Sequence, residues 1–196
     1  PAEIAEMGQV IHESGKRLER LIENFLIYTQ IELLAADSQQ AVALRAKRTP
    51  QPDKLIQARA RQQAQAAARP GDLSVELVGG SIAISEEHLA KIIDELLSNA
   101  FKFSKTGTPI RVTLSASPKV ATLTISDRGR GFSAEQTAKV GAYMQFGRKL
   151  HEQQGLGLGL VIAKGLTELH AGEFAIQSAP GEGPTVTVKL PTAPEA

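Results

Sequence analysis

Glu95, Asn99 and Lys102 are spaced by four and three residues within the stretch Ser85 to Ser104, so a helix there sets a carboxylate, an amide and an ammonium on one strip. The three groups thus share one groove wall beside the apolar arc. Taken alone, three polar residues on a helix are a solvated flank. Asp127 is a second candidate. It shares the parity of Leu123 and Ile125 along a strand, which turns its carboxylate to the covered side, where an acid needs a hydrogen-bonding partner. In the run that follows, Arg128-Gly129-Arg130-Gly131-Phe132, two glycines let the backbone pass close to another group. A third candidate is Gly155-Leu-Gly157-Leu-Gly159-Leu at the opening of a helix, where free N–H groups and the helix dipole face an anion. Its spacing fits neither the P-loop nor the dinucleotide fingerprint. A strand-end acid or a tight turn accounts for either motif standing by itself.

The elements that must position these groups follow from periodicity. Leu89, Ile92, Ile93, Leu96, Leu97, Ala100 and Phe101 recur at helical spacing behind a Ser85 N-cap, which predicts one central amphipathic helix, closed by Gly107-Thr-Pro109. Ile110, Val112, Leu114 and Ala116 alternate, Ser117-Pro118-Lys119 turns the chain, and Ala121, Leu123 and Ile125 alternate again. This is an antiparallel hairpin with one buried face. Leu73–Val78 and Ile82–Ile84 read as short strands, residues 158–169 as a helix, and Phe174/Ile176 with Val186/Val188/Leu190 as a last hairpin. Residues 140–154 are polar and irregular around Tyr143, Met144, Phe146, Arg148 and Lys149, which is the length of a lid.

Upstream, Ile4, Met7, Ile11, Leu18, Leu21, Phe25 and Tyr28 step by three and four, the pattern of a bundle or coiled-coil helix. Its stripe is expected to find partners in upstream sequence or another chain. Residues 35–69 combine a linker with a basic, solvated helix from about residue 53, and 192–196 form a tail. The expected divisions are therefore 1–34, 35–69, 70–191 and 192–196.

A chain of 196 residues holds one medium domain and a smaller attachment. With 22 basic and 21 acidic residues, and no aromatics interleaved with the basic segment, nothing points to nucleic acid. The absence of cysteine excludes disulfides and thiolate metal sites. No run has the length of a membrane span, and the chain opens inside a helical pattern without an initiator Met, as expected of a piece of a longer protein.

The order of the motifs is more specific than any one of them. A helix with Glu95, Asn99 and Lys102, a strand ending in Asp127-x-Gly-x-Gly, a lid with Phe146 and Gly-x-Gly-x-Gly on a helix together resemble the ATP-binding domain of bacterial sensor histidine kinases. This is the superfamily shared with gyrase, Hsp90 and MutL, and the likeness runs over about residues 70–190. It implies a two-layer α/β sandwich with a mixed sheet (the Bergerat-type fold), preceded by a long bundle-forming helix. Residues 8–34 resemble the second helix of that family's dimerisation domain. The family's acceptor pattern, Ser-His-Glu-x-Arg-x-Pro, has no match; His12-Glu13 lacks the Arg spacing and the proline, so His12 is read as an ordinary helix residue.

By this resemblance Asp127 accepts a hydrogen bond from the adenine amino group, directly or through water, and Gly129 and Gly131 let the ring lie close. Asn99 ligates Mg²⁺, Lys102 meets a phosphate, and Phe103 and Phe146 line the pocket. Gly155, Gly157 and Gly159 wrap the phosphates. Glu95, where many relatives carry Asn, serves as metal-site residue or general base, and Arg148 is the candidate cation of the short lid. The implied cofactors are ATP and Mg²⁺. The implied partners are a second copy through the N-terminal helix and a response-regulator receiver domain, with a cytoplasmic location and membrane attachment only through upstream segments. Two alternatives are a non-catalytic nucleotide-binding regulatory module and a plain ATPase of the same superfamily.

Overall fold

The computed structural model describes residues 2–132, 158–179 and 181–193. The expected central helix is α4 (Glu86–Phe103), entered through Ser85, whose side chain accepts from the His88 N–H, with Glu86 and Glu87 in the first turn where the helix dipole favours acids. Its apolar face, from Leu89 to Phe101, is buried.

Beneath it lies a five-stranded mixed sheet in the order β1-β2-β3-β5-β4, made of β1 (Leu73–Leu77), β2 (Ile110–Ala116), β3 (Val120–Ser126), β4 (Glu173–Ala179) and β5 (Gly183–Pro191). β1 runs parallel to β2, and the other pairings are antiparallel. The register sets Val112, Ile125 and Val186 in one row and Leu114, Leu123 and Val188 in the next. These rows are buried under the helices. The opposite face carries Thr113, Thr124 and Thr187 in a row, a period of two with one covered side. The segment read as a strand at Ile82–Ile84 makes only isolated bridges, from Ile82 to Thr49 and Thr192.

The helical layer is completed by α3 (Pro52–Ala66) on one side of α4 and α5 (Leu158–Leu169) on the other. α3 departs from the expected solvated helix. Ile56, Ala60 and Ala64 lie four residues apart and are buried, so small side chains let its backbone approach α4. Arg59 joins it to α4 through Asp94.

The N-terminal helix α1 (Ala2–Ala36) is followed by the short α2 (Ser38–Arg45), capped by Asp37. The expectation that α1 finds all its partners elsewhere is corrected for its second half. It packs on α5, burying Asn24, Tyr28 and Ile31, while Leu21, Ile22, Phe25, Leu26 and Leu33 on the rest of its apolar stripe stay exposed. Further forward Ile4, Met7, Ile11 and Leu18 remain exposed.

Candidate functional site

The last two turns of α4, the end of β3 and the first turn of α5 converge on one pocket. Asn99 and Phe103 face it from α4, with Leu96 and Ala100 as the apolar wall; Ile125 and Val186 rise from the sheet, and Leu160 comes from α5. Asp127, Arg130, Gly131 and Phe132 close it from the loop after β3. Predominantly apolar walls with few convergent polar groups are the ordinary form of a small-molecule site.

Asp127 is buried, at 9% exposure, as its strand parity required. Its Oδ1 accepts from the Gly129 N–H at 2.7 Å. Burial pushes its pKa up to about 6, against the opposing effects of that N–H and of the Arg69 charge. The carboxyl therefore sits near the point where ionisation is easily switched by a hydrogen-bond donor.

The glycines answer first to the protein. A Cβ at Gly129 would stand 2.5 Å from the Phe103 carbonyl oxygen and 2.7 Å from Asp127 Oδ1, so only glycine lets this loop lean on the end of α4. Gly131 has φ +69° and abuts the Ala179 carbonyl, while the neighbouring Phe132 N–H donates to Ser178 Oγ at 2.8 Å. The loop is thus pinned to β4. Over the Phe103 ring stand two cations, Arg130 at 4.4 Å and Lys102 at 5.0 Å from the ring centre. Lys102 itself is exposed and lies outside the pocket lining.

Glu95 belongs to the same helix strip but not to the pocket lining. It is 3% exposed, with Oε1 2.7 Å from Lys91 Nζ and Oε2 3.2 Å from Arg20 of α1. Arg20 also donates to Ser98 Oγ at 3.1 Å, and Lys91 to Asn24 Oδ1 at 2.8 Å. A Cβ at Gly159, in the first turn of α5, would run into the Glu95 carboxylate, so glycine here lets α5 start directly over the strip. Phe146, Arg148, Gly155 and Gly157 lie outside the described residues. The structure therefore brings Asn99, Phe103, Asp127 and Gly131 together around one pocket, with Gly129 supporting Asp127 and Glu95 held apart by two cations.

Arg130, Phe132, Leu160 and Val186 have no assigned place in the site from sequence. Arg130 stands between the two glycines of its motif, which is the only sequence sign of its position. For Leu160 and Val186 there is no sign, since their apolar types suit any core position. Among the described residues no cluster of three His, Asp or Glu side chains could hold a metal on its own. An ion here would need oxygen ligands from a bound molecule as well as from Asn99.

The family model for histidine kinase-, DNA gyrase B-, and HSP90-like ATPases matches residues 84–194. The histidine protein kinase DivJ of Caulobacter vibrioides is 32% identical over 191 residues, 95% of this chain and 31% of that protein. The sensor histidine kinase RppB of Synechocystis is 26% identical over 96% of this chain and 41% of its own length. The chain thus spans about a third of such relatives. In fold it is similar to full-length ShkA, solved in complex with AMPPNP, with a TM-score of 0.74 at 22% identity over 100% of this chain and 40% of the other. With the pocket built on α4, β3 and α5 and the family match covering all three, the chain belongs to the histidine kinase-, DNA gyrase B- and HSP90-like ATPases, as an ATP-binding domain of that family.

Proposed function

We propose that the chain is the ATP-binding catalytic part of a sensor histidine kinase that transfers the γ-phosphoryl group of ATP to a histidine upstream of residue 1, and from there to a response-regulator aspartate. The observation that carries this reading is an apolar pocket bordered by the buried Asp127 carboxylate, with Asn99 in its lining. Leu96, Ala100, Ile125 and Val186 suit a purine ring, and Asp127 suits its exocyclic amine, which donates where guanine presents an acceptor. Asn99 would hold Mg²⁺ together with the phosphates, and the ion when bound neutralises their charge. Phe103, flanked by Lys102 and Arg130, closes the rim with two cations on the phosphate side of the reading. Gly159 would take part in wrapping the phosphates from the start of α5, with Gly155, Gly157, Phe146 and Arg148 of the preceding segment. Glu95 is the residue assigned to metal support or to polarising the attacking group, and either use requires Arg20 to give up its oxygen. The exposed apolar face at the start of α1 supports pairing with a second copy.

The reading is tested with γ-labelled ATP on residues 1–196 and on the natural chain carrying its upstream residues. The longer protein should acquire label that is stable in base and lost in acid, and residues 1–196 should bind Mg-ATP without labelling. Label on residues 1–196 that disappears in His12→Ala would overturn the upstream acceptor. Binding without transfer in the longer chain would favour a regulatory module.

A further inference from the structure

Arg69 stands in the turn between α3 and β1, where a surface position is the ordinary place for arginine. Its side chain is instead 5% exposed. Nε pairs with Asp72 Oδ2 at 2.6 Å, Nη1 donates to the carbonyl oxygen of Phe101 at 2.9 Å and to Ser104 Oγ at 3.1 Å, and Nη2 donates to the Lys105 carbonyl at 2.7 Å. The guanidinium also lies 5.3 Å from the centre of the Phe101 ring. Asp72 completes the arrangement by accepting from the Gly107 N–H at 2.9 Å.

A helix leaves its last carbonyls without partners and carries partial negative charge at that end. Arg69 meets both needs for α4, with a cation in place of the usual glycine turn. What it holds is the turn that carries Lys102 and Phe103, and the Phe103 carbonyl is the surface on which Gly129 rests. A chain of contacts therefore runs from Arg69 through the end of α4 to the loop of Asp127. The groups around Asp127 are the Gly129 N–H on its own loop, Asn99 and Phe103 of α4, and Arg130 at the pocket. The Arg69 charge favours its ionised carboxylate.

We infer that Arg69 is a positioning residue of the nucleotide site, which fixes the end of α4 and, through the Phe103 carbonyl, the loop that carries Asp127. The inference rests on Asp127 being the adenine acceptor, and the test separates the two. Carbon-13 NMR follows the Asp127 carboxyl through a pH titration of the chain, and Mg-ATP affinity is measured over the same range, in wild type, Arg69→Gln, Arg69→Lys and Asp72→Asn. Arg69→Gln should raise the carboxyl midpoint by about half a unit, so that affinity lost on going from about pH 8.5 to about 5 grows by roughly threefold. Asp72→Asn keeps the cation and removes its counter-charge, so the midpoint should fall. A role in packing alone would weaken both variants and move neither midpoint. Arg69→Lys should keep the wild-type midpoint even where its melting temperature drops. Midpoints unchanged in Arg69→Gln, or moved the same way by Arg69→Gln and Asp72→Asn, overturn the inference. Should Arg69→Gln fail to fold, a midpoint that does not fall in Asp72→Asn overturns it. A wild-type ATP affinity indifferent to the Asp127 titration refutes the adenine assignment instead, and with it the link from Arg69 to the nucleotide.

Discussion

At the start of α4, His88 Nδ1 and His170 Nε2 are joined by a hydrogen bond of 2.8 Å, with His170 1% exposed. Beyond its far end, Asp127 is 9% exposed and reaches the Gly129 N–H. Burial disfavours charge at both, pushing His170 down to about 4, with the neighbouring His88 as the second cause, and Asp127 up to about 6. The ends differ in what surrounds the group. The histidine pair is closed between α4 and the end of α5, and the nearby charges of Arg45 and Lys47 oppose its protonation. Asp127 borders an apolar pocket, and the Arg69 charge favours its ionisation. A displaced pKa therefore marks a binding group only where an open cavity and a compensating charge accompany it.

The largest effect should arise between these ends, at Glu95. In a chain extended upstream, Glu95→Gln should lower phosphoryl transfer about a hundredfold while Mg-ATP affinity stays within about threefold, the pattern of a group that acts in the transition state. Single-turnover kinetics with calorimetry separate the two. A loss of affinity instead makes Glu95 a metal-site residue, and unchanged transfer leaves it as the structural partner of Arg20 and Lys91.

At the pocket end, Asp127→Ala should weaken ATP by about 5- to 150-fold and narrow its advantage over GTP, since an unsatisfied buried group costs roughly 1–3 kcal/mol. Equal affinity of the wild type for both nucleotides would sink the assignment. The same residue should cost stability. Its folded pKa of about 6 lies above the ordinary 3.8, so its contribution to folding is present below about pH 4 and is lost as pH rises through 6. Above that, ionised Asp127 destabilises the empty protein by up to about 3 kcal/mol, and Asp127→Asn should melt higher than wild type at neutral pH.

The histidine end should show the opposite sign. His170 is neutral in the fold down to about pH 4, whereas the unfolded chain takes up its proton near 6.5, so stability falls as pH falls through that window. Urea unfolding should show a loss of up to about 3 kcal/mol that His170→Gln flattens, with ATP affinity unchanged. A change in affinity would erase the contrast between the two ends. The smallest effect belongs to Arg130. Removing one cation from a half-buried ring costs about 0.5–1 kcal/mol, so Arg130→Ala should weaken ATP only about two- to fivefold.

Sequence alone determined the central helix, both hairpins and the burial of Asp127. Each follows from a local period of 3.6 or 2 that a single buried face imposes on consecutive residues. It also determined the order of motifs that carries the family resemblance. Tertiary structure alone decided the rest, because those contacts join residues far apart in the chain and leave no period. Arg69 meets Phe101 and Lys105 across more than thirty positions, and its type suggested a solvated segment. Arg20 reaches Glu95 across 75 positions and turns a candidate catalytic carboxylate into one side of an ion pair. The small side chains of Ala60 and Ala64 became a packing face only once α4 lay against them. A charge or a methyl group has the same chemistry in either setting, and what covers it is decided by the fold.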